Sequence, residues 1–379
     1  WRLARTVSQF GQLGVVSGTA IDLVMARRLQ NGDSGGHFRR ALDAFPFPDT
    51  AERIINRYYV AGGKGADRPF RPVPMHTFEG SRRAHELAVA ANFAEVYLAR
   101  EGHDNPVGIN YLEKIQLPHL PSLYGAMLAG VDYVIMGAGI PVEIPGVLDA
   151  FVEHRPASYP LRVTGAKQGE SFSLHFDPRA IFEGQLPQLK RPRFLPIIAS
   201  DTLAVMLTRK ANGRVDGFVI EGPTAGGHNA PPRGALKLAD DGQPIYGARD
   251  SVNLETMRDL GLPFWLAGSY GSPEKLQEAF DLGAAGIQVG TAFALCADSG
   301  LAPDVRKALV AKALDGTARV FTDPCASPAG FPFKVAGMEG TLSEQDTYDQ
   351  RERLCDLGYL REAYRKDNGS VGFRCPGEP

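Results

Sequence analysis

Short, continuously apolar runs alternate along the chain with longer segments that have amphipathic spacing. Residues 13–18 and 105–111 are apolar runs of the kind that parallel strands show when they are buried on both faces. Residues 21–29 and 121–130 have the period of helices with one apolar face. This alternation predicts an α/β protein with a parallel sheet.

The same pattern continues to about residue 313. The further predicted strands are residues 131–141, 161–163, 194–200, 216–222, 263–269 and 285–291, and the further helices include 202–211, 273–282 and 303–313. Leaving aside the three-residue run 161–163, about seven strands are countable, and we expect an eighth before Trp1, which favours a (β/α)8 TIM barrel whose βα loops carry the site. A doubly wound open sheet is the alternative. Residues 171–177 alternate and predict a hairpin strand outside the main sheet.

Interruptions of the strand–helix alternation indicate the domain boundaries. Residues 1–324 are predicted to form the barrel, with residues 30–105 as an inserted or capping helical region or an elongated connection. Residues 325–379 are more charged and are predicted to be a C-terminal helical appendage. Because the chain starts within a predicted helix, we expect the natural protein to extend beyond both ends.

Composition excludes several classes of protein. The 379 residues carry a net charge of −2, with 44% hydrophobic and 22% charged residues, so a nucleic-acid partner is not expected. No apolar run approaches about 18 residues and no signal peptide is recognisable, which predicts a cytoplasmic protein without a membrane span. The four cysteines (Cys296, Cys325, Cys355, Cys375) lack CxxC spacing, so neither disulfides nor a zinc site is expected.

The sequence IEGPTAGGHNAPPRG is the most informative stretch of the chain. Gly226 and Gly227 follow a predicted strand, and a glycine pair there lets the backbone approach an anion and offer it N–H groups. His228 adds a side chain whose ordinary pKa is close to neutral. It is therefore either the candidate catalytic residue or a structural histidine.

Two later strand ends carry a similar pattern. Gly268, Ser269 and Gly271 follow one strand, and Gly290 and Thr291 follow the next, one βα unit later. In barrels the loops after the last two strands frequently bind phosphate. The alternative is that these glycines only allow tight turns.

Polar residues at two strands suggest further contacts. Asn110 ends a strand, and its amide can both donate to and accept from the edge of a heteroaromatic ring. Gln288 lies within an apolar strand, where its burial requires a hydrogen-bond partner. The other histidines lack such a context, and no HExxH, P-loop, GxGxxG or GxSxG motif is present, so no metal is expected.

The order of these motifs resembles that of the flavin-dependent nitronate monooxygenases, formerly 2-nitropropane dioxygenases, which are related to flavin-dependent enoyl-ACP reductases. The matching stretches are GVVSG, PVGINY, FLPIIASDTLAVML, DGFVIEGPTAGGH, LAGSYGSPEKL, GAAGIQVGTAF and SPAGFPFKV, within roughly residues 1–335. The resemblance implies a TIM barrel that binds FMN without a covalent link.

The resemblance also implies roles for individual residues. Asn110 would contact the flavin ring, Ser200 would end a strand that faces the flavin, and His228 would lie in the active site. The remaining cofactor-binding positions would be Gly226, Gly227, Gly268, Ser269, Gly271, Gln288, Gly290 and Thr291. Pro223, Thr224 and Ala225 depart from the acidic residue and alanine that usually precede GGH in the family, which bears on the substrate more than on the cofactor.

The implied activity is oxidation of alkyl nitronates with O2 to a carbonyl compound and nitrite. The alternative is an NAD(P)H-dependent enoyl-thioester or quinone reductase with the same FMN site. A non-catalytic flavin-binding subunit and a flavin-free phosphosugar enzyme are the remaining hypotheses. Under the first two, the partners are a small nitronate or enoyl substrate with O2 or NAD(P)H, and a homo-oligomer is compatible with either.

Overall fold

The fold was determined as a computed structural model that describes residues 1–327, 330–352 and 358–375. Its strands are β1 Gly14–Ser17, β2 Val107–Leu112, β3 Tyr133–Gly137, β4 Ala157–Pro160, β5 Val163–Thr164, β6 Ser173–Phe176, β7 Arg193–Ile198, β8 Phe218–Glu221, β9 Phe264–Ala267, β10 Gly286–Gln288, β11 Val320–Asp323, β12 Phe333–Ala336, β13 Glu362–Arg365 and β14 Val371–Arg374. Its α-helices are α1 Arg2–Gln9, α2 Ile21–Gln30, α3 His37–Asp43, α4 Pro48–Tyr58, α5 Arg82–Arg100, α6 His119–Leu128, α7 Ile144–Val152, α8 Pro178–Ile181, α9 Asp201–Lys210, α10 Leu254–Asp259, α11 Pro273–Asp281, α12 Thr291–Ala294, α13 Pro303–Leu314 and α14 Gln345–Gln350.

The chain divides into two compact units. Unit 1 contains Trp1–Phe194, Lys210–Val215 and residues 358–375. Unit 2 contains Leu195–Arg209 and the described part of residues 216–352. Strand β7 begins in unit 1 and continues into unit 2.

Parallel strands in sequential order define the fold class. In unit 1, β1 pairs with β2 and β2 with β3; in unit 2, β7 pairs with β8, β8 with β9 and β9 with β10, each pair parallel. The hydrogen-bonded order of the seven-stranded sheet is β1-β2-β3-β7-β8-β9-β10. A doubly wound sheet reverses its strand order at a switch point, whereas a TIM barrel does not. The order therefore confirms the α/β class and the barrel-type winding.

One predicted strand lies elsewhere. The sequence predicts a short strand at residues 161–163, but β4 and β5, the strands of the structure next to this run, belong to two other sheets. Strand β4 pairs antiparallel with β6, so the hairpin predicted around residues 171–177 is present. A run of three apolar residues is too short for its pattern to distinguish a central strand from a peripheral one.

The core of unit 1 forms where α5 and α6 cover the sheet. Fourteen of the 19 residues of α5 are buried, many of them alanines, which allows a neighbouring helix to approach closely. Tyr111 of β2 donates a hydrogen bond to Asn92 Oδ1 of α5 at 2.8 Å and lies 3.1 Å from the carbonyl oxygen of Ser122 in α6. These bonds satisfy a buried hydroxyl and join the strand to both helices.

The last described residues also contribute to unit 1. Strands β13 and β14 form an antiparallel hairpin, and β13 pairs in parallel with β5. The sequence predicted a helical segment in this part of the chain. The described part of residues 325–375 contains the strands β12, β13 and β14 and one α-helix, α14. None of the helices formed by the described residues is both long and apolar enough to cross a membrane.

Replacing Gly125 by alanine is expected to lower the free energy of unfolding by about 2 kcal/mol, because overpacking outweighs the gain in helix propensity. A Cβ atom at this position of α6 would lie 2.2 Å from the carbonyl oxygen of Val89 in α5. Urea denaturation measures the change. Gly247→Ala is the matched control, since a Cβ there meets no atom within 4 Å. Equal stability of the two variants would contradict the close contact between α5 and α6.

Candidate functional site

The carboxyl ends of β8, β9 and β10 lie side by side in unit 2. Glu221 at the end of β8 is in register with Ala267 of β9, and Ala267 is in register with Gln288 of β10. The loops that leave these three strands therefore start from the same edge of the sheet. This edge carries the active site in TIM-barrel enzymes.

The three loops contact one another through positions without side chains. A Cβ atom on Gly226 would lie 3.1 Å from Thr291 Oγ1, so the loop after β8 approaches the start of α12. A Cβ atom on Gly268 would lie 2.9 Å from the backbone nitrogen of Ala225 and 3.0 Å from Thr224 Oγ1. The structure thus brings together the loops that the glycine pattern singled out.

Backbone conformation explains why glycine occupies two of these positions. Gly227 has a φ of 80° and Gly268 a φ of 100°, in the region that residues with side chains rarely adopt. Ser269 also has a positive φ, at 60°, although it carries a side chain. An L-residue held there stores strain of about 1–3 kcal/mol, which is typical of functional loops.

Each of the three loops has backbone N–H groups without a partner in the described part of the chain. The N–H groups of Gly226, Gly227, Gly268, Gly271 and Thr291 donate no hydrogen bond to any described residue. Ser272 caps the neighbouring helix α11, and its Oγ accepts from the backbone nitrogen of Lys275 at 3.3 Å. Free N–H groups next to helix starts favour binding of an anion.

Two predicted residues have different surroundings from those expected. Gln288 is exposed, so the argument that its burial requires a partner was wrong; β10 is an edge strand of the described sheet. Ser200 caps α9: its Oγ accepts a hydrogen bond from the backbone nitrogen of Leu203 at 3.1 Å. That bond gives Ser200 a structural task at the carboxyl end of β7.

His228 is held by residues about 100 positions further along the chain. Its Nε2 lies 2.6 Å from Ser327 Oγ, at hydrogen-bonding distance, and its ring makes an edge contact with Phe333 at 4.7 Å between centroids. Its backbone forms a bridge with Phe333 of β12. The flanking bond from the nitrogen of Lys334 to the carbonyl oxygen of Gly227 is 3.0 Å long. The imidazole is therefore fixed in orientation, as an acid–base residue requires.

A carboxyl group with an unusual pKa lies on the same loop. Burial raises the pKa of Glu221 to about 7, although a hydrogen bond from Asn229 and the charge of Lys334 both lower it. Asn229 Nδ2 donates to Glu221 Oε1 at 3.3 Å and to the carbonyl oxygen of Ala225 at 3.1 Å. Asn229 Oδ1 is buried and has no partner among the described residues. This carboxyl group can change its charge near neutral pH.

Lys334 of β12 connects the β11–β12 hairpin to the loop that follows Glu221. Its Nζ donates to the carbonyl oxygen of Pro223 at 2.8 Å and to Thr322 Oγ1 at 2.5 Å. Burial lowers the pKa of Lys334, while the charge of Glu221 raises it. The matching stretch SPAGFPFKV contains both Ser327 and Lys334, but the sequence assigned neither a role, because each is about 100 residues from the loop that it supports.

Asn110 lies at the carboxyl end of β2 in unit 1. Its Oδ1 is buried without a hydrogen-bond partner among the described residues, and so is Oε2 of the nearby Glu113. Glu113 Oε1 accepts from Tyr159 at 3.0 Å and from Gln116 at 2.8 Å. Buried acceptors without partners are rare, and they are typical of positions that bind a ligand.

Metal binding gains no support from the part of the chain that the structure describes. No group of three or more His, Cys, Asp or Glu side chains there is arranged to hold a metal ion. Cys325 is exposed, and Cys296 and Cys375 are partly buried free thiols. Cys355 lies outside the described residues.

Fold and geometry together define an α/β protein of the TIM-barrel type with a glycine-lined candidate site at the carboxyl edge of its sheet. Residues 168–326 match the model of the nitronate monooxygenase family. The family resemblance inferred from the motifs is therefore confirmed over this segment, which contains the three loops. Asn110 lies outside the matched segment.

Individual relatives cover less of the chain. A nitronate monooxygenase from Pseudomonas aeruginosa is 29% identical over 199 residues, which are 52% of this chain and 53% of the relative. A (3aS,4S,5R,7aS)-5-hydroxy-7a-methyl-1-oxo-octahydro-1H-indene-4-carboxyl-CoA dehydrogenase from Mycobacterium tuberculosis is 31% identical over 102 residues, 27% of this chain and 25% of the relative. The chain thus matches about half of the first relative's length and a quarter of the second's.

Among solved structures, FabK from Thermotoga maritima is similar with a TM-score of 0.44 and 18% identity, over 88% of this chain and 66% of that one. A likeness at this level adds nothing to the fold described above.

Replacing Glu221 by glutamine is expected to stabilise the protein at pH 8 but not at pH 4. Because the folded carboxyl has its pKa raised to about 7, it binds its proton more tightly than the unfolded chain does. Wild-type protein therefore loses stability as the pH rises from about 4.5 to 7, by about 2 kcal/mol after allowance for partial exposure. Glutamine has no ionisable side chain, so the stability of the variant lacks this dependence on pH.

Urea denaturation at both pH values measures this difference. Glu339→Gln is the control, since Glu339 is exposed. It should shift stability by less than about 0.5 kcal/mol at either pH. If Glu221→Gln had the same effect at pH 4 and pH 8, the carboxyl group would not be titrating with a raised pKa.

Proposed function

We propose that this protein is an FMN-dependent oxidoreductase of the nitronate monooxygenase type, which converts alkyl nitronates and O2 to a carbonyl compound and nitrite. The observation that carries the proposal is the meeting of three glycine-bearing loops at the carboxyl ends of β8, β9 and β10. These loops lie within the segment that matches the family. The match to the Pseudomonas aeruginosa enzyme supports the same reaction.

The residues present fit a flavin mononucleotide. The free N–H groups of Gly226, Gly227, Gly268, Gly271 and Thr291 would hold the phosphate, and Gly290 leaves open space beside them, since a Cβ there meets no atom within 4 Å. The exposed Ser269 and Gln288 would contribute polar groups at the ends of β9 and β10. Ser200 and Asn110 are proposed as cofactor contacts by the family resemblance alone.

When bound, FMN supplies the electron-transfer chemistry that no side chain provides. The protein's own contribution is binding, orientation and the placement of charge. His228, fixed by Ser327 and Phe333, would either accept the proton of a neutral nitroalkane or, as imidazolium, stabilise the anionic nitronate. Glu221 would adjust the local charge near neutral pH, because its pKa is about 7.

A second candidate function is an NAD(P)H-dependent reductase of enoyl thioesters or quinones at the same FMN site. The observation that favours it is the match of 102 residues to a carboxyl-CoA dehydrogenase. The two functions differ in the electron donor. Anaerobic bleaching of the bound flavin by an alkyl nitronate alone supports the first function, whereas bleaching by NADH or NADPH supports the second.

Gly290→Val is expected to abolish FMN binding without unfolding the protein. Gly290 has a φ of −118°, which valine adopts readily, and the new side chain would occupy the open space where the phosphate is proposed to lie. Purified wild-type protein supplied with FMN should show flavin absorption bands near about 370 and 450 nm, and the variant should not. Gly247→Val, also at a glycine with open space, should keep the bands. Colourless wild-type protein would contradict the cofactor assignment.

His228→Ala is expected to retain FMN but to lose catalytic efficiency by about 100-fold or more, the usual contribution of an acid–base residue. The measurement is kcat/KM with an alkyl nitronate at pH 7, together with the flavin spectrum. His175→Ala serves as the control, because His175 is exposed on β6 in unit 1. Unchanged kcat/KM in the His228 variant, with bound flavin, would exclude a catalytic role for this residue.

A further inference from the structure

A separate cavity of about 650 Å³ lies wholly within unit 1. It is bordered by the second half of α4, by residues 71–74 and by the first turns of α5. Cavities of about 300–1,000 Å³ are of the size that accommodates small organic ligands. None of the motifs that define the glycine-lined site contributes to this cavity.

Positive charge dominates its lining. Among the described residues, Glu86 is the one carboxylate that lines the cavity. Five arginines line it as well: Arg53, Arg57, Arg71, Arg82 and Arg83. No other acidic residue lines it, so the formal charge of the lining is about +4, from five guanidinium groups and one carboxylate.

The hydrogen bonds of these arginines leave most of this charge unneutralised. Glu86 Oε1 accepts from Arg53 at 2.7 Å and from Arg82 at 3.0 Å, so the two share one carboxylate oxygen. Arg57 donates to the neutral hydroxyl of Tyr58, and Arg71 donates to the carbonyl oxygen of Arg57. Neutral acceptors orient a guanidinium group without cancelling its charge.

Arg83 has the least internal support of the set. It is exposed and makes no hydrogen bond or ion pair with any described residue. The exposed Glu183 lies 3.6 Å from Arg82 and does not line the cavity. Arg83 is therefore available to a ligand, and its replacement should leave the fold intact.

The direction of α5 increases the positive potential at the cavity, because the start of this helix borders it. Arg82 and Arg83 occupy the first turn of α5, a helix of 19 residues that has no acidic residue in that turn. The start of a helix already carries a partial positive charge, which opposes a cation placed there. Glu86 offsets this for Arg82, whereas Arg83 has no carboxylate partner among the described residues, so a bound anion would offset its charge.

Apolar residues also line the cavity. Ile54 and Leu87 are buried, and Val73 and Pro74 are partly buried. An inorganic ion would use only the charged part of a cavity of this volume. A ligand with both a polyphosphate group and an apolar ring system would use both parts.

We propose that this cavity binds a phosphorylated organic anion of nucleotide size. Its phosphate groups lie among Arg57, Arg71 and Arg83, which form planar, bidentate contacts with phosphate oxygens. Its ring system lies against Ile54 and Leu87. The lining of this cavity shares no residue with the proposed flavin site, and its test does not depend on enzyme activity.

Isothermal titration of the full chain with ADP at low ionic strength tests the proposal. Arg83→Gln and Arg57→Gln are each expected to weaken ADP binding at least about fivefold, the loss of one charged contact to phosphate. Arg28→Gln is the matched control, because Arg28 is an exposed arginine of unit 1 that does not line the cavity. It should bind ADP as the wild type does, and all three variants should keep the wild-type thermal unfolding temperature.

Pyrophosphate and adenosine, titrated separately, distinguish the two parts of the ligand, and each should bind more weakly than ADP. Pyrophosphate binding as tight as that of ADP would overturn the organic part of the proposal, and equally tight adenosine binding would overturn the role of the arginines. Absence of ADP binding at millimolar concentration would overturn the site itself. So would an equal loss of affinity in Arg28→Gln and Arg83→Gln, because it would show non-specific attraction.

Discussion

The close approach of three backbone loops is the constraint on which the candidate site depends. The loop after β8 lies against the loops after β9 and β10 at Gly226 and Gly268, where a side chain would come within about 3 Å of a neighbouring atom. Because both positions are glycine, the loops can approach each other this closely. The N–H groups of Gly226 and Gly268 have no hydrogen-bond partner among the described residues. A phosphate group fits this arrangement because it needs several N–H donors within a small volume.

A second set of contacts determines what chemistry the loop after β8 can perform. His228 and Glu221 lie at the two ends of the loop after β8. Ser327 contacts His228, while Lys334 of β12 bonds the carbonyl oxygen of Pro223 in this loop and its charge lowers the pKa of Glu221. The hairpin therefore fixes the imidazole and modifies the charge of the carboxyl group. Because Glu221 is buried only in the folded chain, its raised pKa is a property of the tertiary structure.

The arginine-lined cavity illustrates a different use of charge. In unit 2 the proposed anion is held mainly by backbone N–H groups, whereas in unit 1 the positive potential comes from guanidinium groups around the start of α5. Backbone donors give a site of fixed geometry, and arginines give one with higher charge and longer reach. The net charge of −2 for the whole chain conceals this local excess.

The sequence by itself determined the strand–helix alternation, because continuous apolar runs and amphipathic periods are local properties. It also located the three glycine-bearing loops and His228, since the register of parallel strands places successive strand ends at one edge. Only the tertiary structure decided that residues 161–163 leave the main sheet and that Gln288 is exposed. It alone also brought Ser327 and Lys334 to the loop at Glu221 and His228, because contacts across about 100 residues leave no periodic signal in the chain.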